Sequence, residues 1–339
     1  MMCAKLSKKS LVKRILVVSM TNIGDVVLSL PVIDILRQDF PGAPIDVVVG
    51  KKAVSLFADN PYMGIKVYDK DAPLREKYAW FLDLYRARYD VVVDLRRTLL
   101  GWLLRPKYAT PVFLVRAKGG PAFGVVSSLK SASQHKKDMH LNRLRQIYNF
   151  DTPVYKQFAV VTTREDEQFF ESQLAPALQG RSFVVIAPGA ADTAKRWYPE
   201  GFAAVADHLS TTYKVVFVGD TQDAVLIEAI QKMMTTTAVS LAGQTHLRQL
   251  AFILKKSSWV LCHDSGIMHL ACYLDVPVLV LWGPTDVSRY APWGGKTSVI
   301  VRRNEKCVRC GKPQSDLAHN CMSLIEVEDV FNAVGKIQL

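Results

Sequence analysis

Asp25 is a carboxylate in a turn where a nucleotide-binding chain would place glycines. It follows the apolar run Ile15-Leu16-Val17-Val18 through Ser19-Met20-Thr21-Asn22-Ile23-Gly24 and opens a helix-like run ending near Arg37. Turns from a parallel strand into a helix are where open α/β sheets bind ligands. A phosphate there needs several glycines and no acid, because the helix N-terminus must receive the anion. This turn has Gly24 alone, and Asp25 would repel phosphate while being able to hold or deprotonate a hydroxyl group. The competing account is that Asp25 caps the helix and complements its dipole, and on the turn alone that is the simpler one. The absence of Gly-x-Gly-x-x-Gly argues against a dinucleotide-dependent oxidoreductase.

The second half carries its own strand-to-helix turns. Asp264-Ser265-Gly266 follows Trp259-Val260-Leu261-Cys262-His263, leaving backbone N–H groups free to cradle an anion, with His269 one turn on. The ordinary account is an N-capped helix with a surface histidine. Pro188-Gly189-Ala190-Ala191 leads to Lys195-Arg196-Trp197, whose adjacent cations could neutralise a diphosphate or form a solvated charge pair. Val218-Gly219-Asp220 with Asp223 supplies acids suited to ribose hydroxyls. Three such turns in one domain describe a nucleotide-diphosphate site.

Near the C-terminus, Cys307, Cys310, His319 and Cys321 offer four soft ligands. Cys-x-x-Cys suits zinc, but a His-x-Cys second half is less usual, and reduced thiols in a loop are the ordinary account. Any metal would be structural.

These residues need a scaffold, and the composition supports a large one. At 339 residues and 49% hydrophobic, two domains are expected. No apolar run approaches the ~20 residues of a membrane span. The basic N-terminus lacks a cleavage site, and six scattered cysteines fit a reduced, cytoplasmic protein. Charge is one-sided: residues 1–160 carry 26 Lys+Arg against 13 Asp+Glu, and residues 161–339 carry 17 against 18. The excess clusters at Arg96, Arg97, Arg105, Lys107, Arg116, Lys118, Lys130, Lys136, Lys137, Arg143 and Arg145. Such a field implies an anionic partner, either a glycolipid, a membrane leaflet or nucleic acid, or else a merely solvated surface. No nucleic-acid recognition module is present, so no nucleic acid partner is expected.

Strand-like runs at residues 15–19, 45–50, 66–68, 91–95 and 112–115 alternate with helical stretches at 31–39 and 76–88. A further helix is predicted at 141–148. A second series has strands at 183–187, 215–219, 238–241, 259–262 and 276–282, with helices at 201–211, 224–233, 247–256 and 266–273. Continuous Val/Ile/Leu strands separated by helices predict parallel sheets covered on both faces. The fold class is therefore α/β, two doubly wound Rossmann-like domains facing across a cleft, spanning residues 1–165 and 166–325. A last helix in 326–339 is predicted to pack back on the first domain.

The motifs Gly24-Asp25-Val26-Val27-Leu28, Pro188-Gly189-Ala190 with Lys195-Arg196-Trp197, and Asp264-Ser265-Gly266-Ile267-Met268-His269 together resemble glycosyltransferase family 9, in order and over nearly the whole chain. That family contains the ADP-heptose:lipopolysaccharide heptosyltransferases. His263, Tyr198, Ala190 and Ala191 depart from its usual pattern, which has asparagine, a direct Trp-Pro step and hydroxyl side chains.

The resemblance implies a GT-B fold with an acceptor-binding N-terminal domain and a donor-binding C-terminal domain. It implies inverting, metal-independent transfer of heptose from ADP-heptose to the inner core of lipopolysaccharide in a Gram-negative bacterium, with no cofactor. Asp25 then becomes the general base, and Lys195 the cation that stabilises departing ADP. Gly189, Ala190, Ala191, Arg196, Gly219, Asp223, Thr245, Leu247, Asp264, Ser265, Gly266 and His269 would bind the donor. Gly24, Arg96, Arg97, Arg116, Lys118 and Lys136 would bind an anionic glycolipid, Kdo-lipid A or heptosylated core. The expected protein is a monomer, peripheral on the cytoplasmic leaflet of the inner membrane. The alternatives are a GT-B transferase or epimerase using another nucleotide sugar, and a non-catalytic membrane-associated relative.

Overall fold

The computed structural model describes residues 6–8, 10–19, 21–111, 114–116, 123–125, 134–150, 156–294, 298–301 and 321–337. The chain forms two compact units, Met1–Val161 and Thr162–Leu339.

The first unit is built on a five-stranded sheet of β1 (Ile15–Val18), β2 (Ile45–Gly50), β3 (Met63–Tyr68), β4 (Val91–Asp94) and β5 (Tyr108–Ala109). All pairings are parallel and the order is β3-β2-β1-β4-β5. Strands β1, β2 and β4 are buried throughout, which is why they read as mostly Val/Ile/Leu runs rather than alternating ones. The helix Ile23–Asp39 is buried from Val26 through Leu36, apolar nearly all round, as a helix covered on every side must be. It starts eight residues before the helix predicted at 31–39, and Pro31 lies inside it.

The strand expected at 112–115 does not join this sheet. β5 fills the fifth place, and Pro111 follows it with no N–H to extend the ladder. Instead β6 (Leu114–Arg116) pairs antiparallel with β7 (Phe123–Val125); residues 112 and 113 lie outside the described residues. The helix predicted at 141–148 runs from Lys136 to Arg145, capped by His135, whose Nδ1 accepts the Lys137 N–H at 3.2 Å.

The second unit has six parallel strands: β8 (Phe183–Ala187), β9 (Lys214–Phe217), β10 (Val239–Ser240), β11 (Val260–His263), β12 (Val278–Leu281) and β13 (Ser298–Val301). Their order is β10-β9-β8-β11-β12-β13. β13, at the edge of the sheet, is a strand that the sequence patterning did not give. The helix Val327–Ile337 buries Val330, Ala333, Val334 and Ile337 in this unit's core, where the sequence predicts packing on the first domain. Its apolar stripe is completed by Phe202, Leu209 and the strands β12 and β13.

Both sheets reverse direction between two adjacent strands, β1 and β4 in one and β8 and β11 in the other. Loops leaving the carboxyl ends of such a pair diverge to opposite faces and open a ligand crevice. In the second unit the turns after β8, β9 and β10 are also stitched together. Gly243 donates its N–H to the Gly219 carbonyl at 3.0 Å. A Cβ on Gly189 would run into the Asp223 carboxylate, and one on Gly219 would approach the Asp223 Cβ at 2.6 Å. Glycine at these two positions is thus a requirement of the Asp223 side chain between them.

Two outcomes follow for stability. His140 is 4% exposed, its Nε2 lacks a hydrogen-bond partner, and burial, aided by Lys136, lowers its pKa from 6.5 to about 4. Its neutral form is the stable one, so stability is complete above about 6.5 and declines as pH falls toward 4. Urea unfolding should show His140→Leu sparing ~2 kcal/mol of the loss that the wild type suffers between about pH 7 and about pH 5. An unchanged acid-side loss would contradict this. Gly189→Ala should destabilise by about 1–3 kcal/mol, and by less than half as much in an Asp223→Ala background. Equal penalties in both backgrounds would show that the carboxylate is not what excludes a side chain.

Candidate active site

The Asp264 carboxylate, 6% exposed, directly follows β11 in the second unit. A buried carboxylate needs partners, and Asp264 has Lys195 and Thr285 bonded to it and His269 nearby. Lys195 Nζ donates to its Oδ2 at 2.7 Å and to its main-chain carbonyl at 3.3 Å. Thr285 Oγ1 donates to the same Oδ2 at 2.7 Å, and His269 Nε2 stands 3.9 Å from Oδ1. The predicted neighbours Lys195 and Asp264 are therefore in contact. Thr285 is a participant that sequence reading missed, although Gly283-Pro284-Thr285 after β12 has the same strand-end composition as Pro188-Gly189.

Lys195 arrives from a short 3-10 turn, Thr193–Lys195, whose start is capped by Asp192 accepting the Ala194 N–H at 3.0 Å. The next residues are pinned in turn. Arg196 Nε donates to the Ala190 carbonyl at 2.8 Å, and its Nη2 lies 3.8 Å from Asp223 Oδ1. Trp197 is buried, its N–H donating to His263 Nε2 at 3.0 Å and its indole N–H to the Ile325 carbonyl at 2.8 Å. Lys195 and Arg196 are thus not a solvated charge pair; each is aimed by its own acceptor.

Ser265 caps the helix Gly266–Tyr273 in extended conformation, without a side-chain cap bond, and its buried Oγ has no hydrogen-bond partner among the described residues. A hydroxyl and a helix N-terminus beside a lysine form a cradle for an anion. His269 is buried at 3% exposure, not on the surface. Asp223 is half-buried, and burial raises its pKa against the Asp220 N–H that it accepts and the nearby Arg196. Asp220 is exposed and accepts the Gln222 and Asp223 N–H groups. Thr245 and Leu247 are partly buried beside Gly243, whose Cβ position faces Thr221 in the turn after β9. The three turns singled out by sequence leave β8, β9 and β11, which are side by side in the sheet.

In the first unit Asp25 is the third residue of the helix Ile23–Asp39, partly exposed. Asn22 occupies the N-cap, so Asp25 does not cap the helix, though it sits within reach of its dipole. Among the described residues it has no hydrogen-bond or ion-pair partner. Gly24 precedes it, partly buried. The neighbouring turn, after β4, holds the buried Asp94, which accepts from Thr98 Oγ1 at 2.7 Å and from the Arg96 N–H at 3.0 Å. Burial raises the Asp94 pKa, against these hydrogen bonds and Arg143. Arg143 is 6% exposed and donates to the Asp94 carbonyl, so it is no member of a solvated basic face. Arg96 is exposed over the Tyr68 ring, Arg97 adopts a left-handed φ of 59°, and Lys136 starts its helix partly exposed. The Arg116 backbone is in β6; its side chain, Lys118, Cys307, Cys310, His319 and the Cys321 side chain lie outside the described residues. Among the described residues no group of three or more His, Cys, Asp or Glu could hold a metal ion, and no helix is long and apolar enough to cross a membrane.

Known proteins are similar to this chain in sequence and fold. The lipopolysaccharide core heptosyltransferase OpsX of Haemophilus influenzae is 24% identical, covering 96% of this chain and 97% of its own length. The lipopolysaccharide heptosyltransferase 3 of Escherichia coli is 27% identical, covering 93% and 96%. The crystal structure of E. coli ADP-heptose lps heptosyltransferase II superposes with a TM-score of 0.74 at 18% identity, covering 96% of this chain and 98% of that one. The family model for glycosyltransferase family 9 (heptosyltransferase) matches residues 80–320. With two doubly wound parallel-sheet domains and that match over most of its length, the chain belongs to glycosyltransferase family 9, the heptosyltransferases.

Proposed function

We propose that the chain transfers heptose from ADP-heptose to the inner-core oligosaccharide of lipopolysaccharide with inversion at the anomeric carbon. The observation that carries this reading is the Lys195 ammonium, held 2.7 Å from Asp264 beside the N-terminus of the helix Gly266–Tyr273. That is a preorganised positive site where a diphosphate leaving group gains charge. The acceptor hydroxyl attacks the anomeric carbon, the bond from that carbon to the phosphate oxygen breaks, and Asp25 takes the hydroxyl proton. ADP leaves with the electron pair of the broken bond, met by Lys195 and by the Ser265 and Gly266 N–H groups.

A base must have its lone pairs available, and Asp25 meets that condition through its partial exposure and lack of a described partner. No second carboxylate nucleophile is needed for inversion. Asp264 orients Lys195, Arg196 with the Gly189–Ala191 backbone flanks the diphosphate, and Asp223 and Gly219 face the ribose. Thr245 and Leu247 border the adenine, and His269 supports Asp264. The C-terminal domain thus binds the donor and the N-terminal domain the acceptor. Gly24, Arg96, Arg97, Arg116, Lys118 and Lys136 serve an anionic acceptor, Kdo-lipid A or heptosylated core, at the cytoplasmic leaflet of the inner membrane. We propose a monomer that needs no metal for the chemistry.

Transfer assays with ADP-heptose and lipid A acceptors truncated at successive core sugars test this reading. Product is expected on one acceptor class, and a panel of other nucleotide sugars should give none. Asp25→Asn should lower kcat by about 10²–10⁴-fold, and Lys195→Ala by about 10²–10³-fold, with the fold intact by circular dichroism. Turnover by Asp25→Asn near the wild-type rate would remove Asp25 as base, and turnover with a different donor alone would replace the substrate.

A further inference from the structure

His263 ends β11 fully buried, one residue before Asp264. Its Nε2 accepts the Trp197 N–H at 3.0 Å, joining the turn after β8 to the strand that leads into Asp264. An imidazole nitrogen accepts only when unprotonated, so the ring is neutral and carries its proton on Nδ1. The Phe202 ring meets it edge-on, with centroids 5.4 Å apart at 81°. Lys195 lies two residues before Trp197, and its ammonium binds the residue after His263. The two contacts are adjacent rungs between the same two segments. Removing the lower rung leaves the Trp197 N–H buried without an acceptor and frees the backbone that carries Lys195.

We propose that His263 is a positioning residue for the transfer reaction, accepting the Trp197 N–H and so setting the backbone from which Lys195 meets the leaving diphosphate. The proposal rests on the assignment of Lys195 above. The charged groups facing the ring agree with a neutral state. Burial lowers its pKa to about 4, Arg196 and Lys195 push in the same direction, and the Gly189 backbone and Asp264 oppose them.

A kinetic cycle separates this role from simple packing. His263→Leu should lower kcat about 10–100-fold, the scale for misplacing a catalytic group by about an ångström. His263→Gln, whose Oε1 can accept the same N–H, should recover turnover to within about threefold of wild type. In a Lys195→Ala background, His263→Leu should add less than about twofold, because both changes remove one function. Losses that multiply, a His263→Leu enzyme as fast as wild type, or a Gln variant no better than Leu would each overturn the proposal. Lys195→Ala at full turnover would instead overturn the Lys195 assignment, whatever the His263 variants do. Should His263→Leu fail to fold, ¹⁵N-histidine spectra of the wild type decide. A neutral ring with an unprotonated Nε2 at neutral pH supports the role, and a charged ring or a proton on Nε2 refutes it.

Discussion

The contact between Lys195 and Asp264 is the constraint on which the second domain's site depends. Breaking either side would leave a charge in a half-dry pocket, a far costlier state than losing an exposed ion pair. The fold makes the contact possible because β8 and β11 are neighbours at the point where the sheet changes direction. A lysine from the turn after β8 and an aspartate ending β11 are then brought together from 69 residues apart. Thr285, from the turn after β12, donates to the same carboxylate oxygen, and His269, one turn into the following helix, stands 3.9 Å from the other. The ammonium is thus aimed before any ligand arrives, and preorganisation of this kind avoids reorganisation during the reaction.

The first domain repeats the topology with the opposite chemistry. Its switch point carries Asp25, partly exposed and without a described partner, while the adjacent turn spends its own carboxylate, Asp94, on local hydrogen bonds to Thr98 and Arg96. Asp94 is buried and engaged, and Asp25 is available. One strand-turn-helix device therefore serves two ends. In the proposed reaction the version with glycine, serine and a nearby lysine receives an anion, and the version with an acid in the first helical turn offers a base.

Much of this was legible in the sequence because buried parallel strands are largely continuous apolar runs, and nine of the ten expected strands fall on strands of the two sheets, the run at 112–115 being the exception. The turns after β8, β9 and β11 were legible for a related reason: Pro, Gly, Ser and Asp at a strand end have few other uses. What was not legible was partnership across the chain. Nothing in the spacing says that Arg143 tucks under Asp94, that His269 faces inward, or that His263 accepts from Trp197. The Arg143 and His263 contacts arise where distant segments are brought side by side, and His269 is turned inward by the fold around its helix. The strands β5 and β13, each at an edge of its sheet, were misplaced or missed.

The central claim is a division of labour, with the nucleotide held by the Lys195 and Asp264 site and the proton taken by Asp25. Calorimetric titration of ADP into the wild type, Lys195→Ala and Asp25→Ala measures it most directly. The account predicts that Lys195→Ala weakens ADP binding by about tenfold or more, the scale of one charge-assisted contact, while Asp25→Ala binds ADP as the wild type does. Unaltered affinity in Lys195→Ala, or a comparable loss in Asp25→Ala, would contradict it.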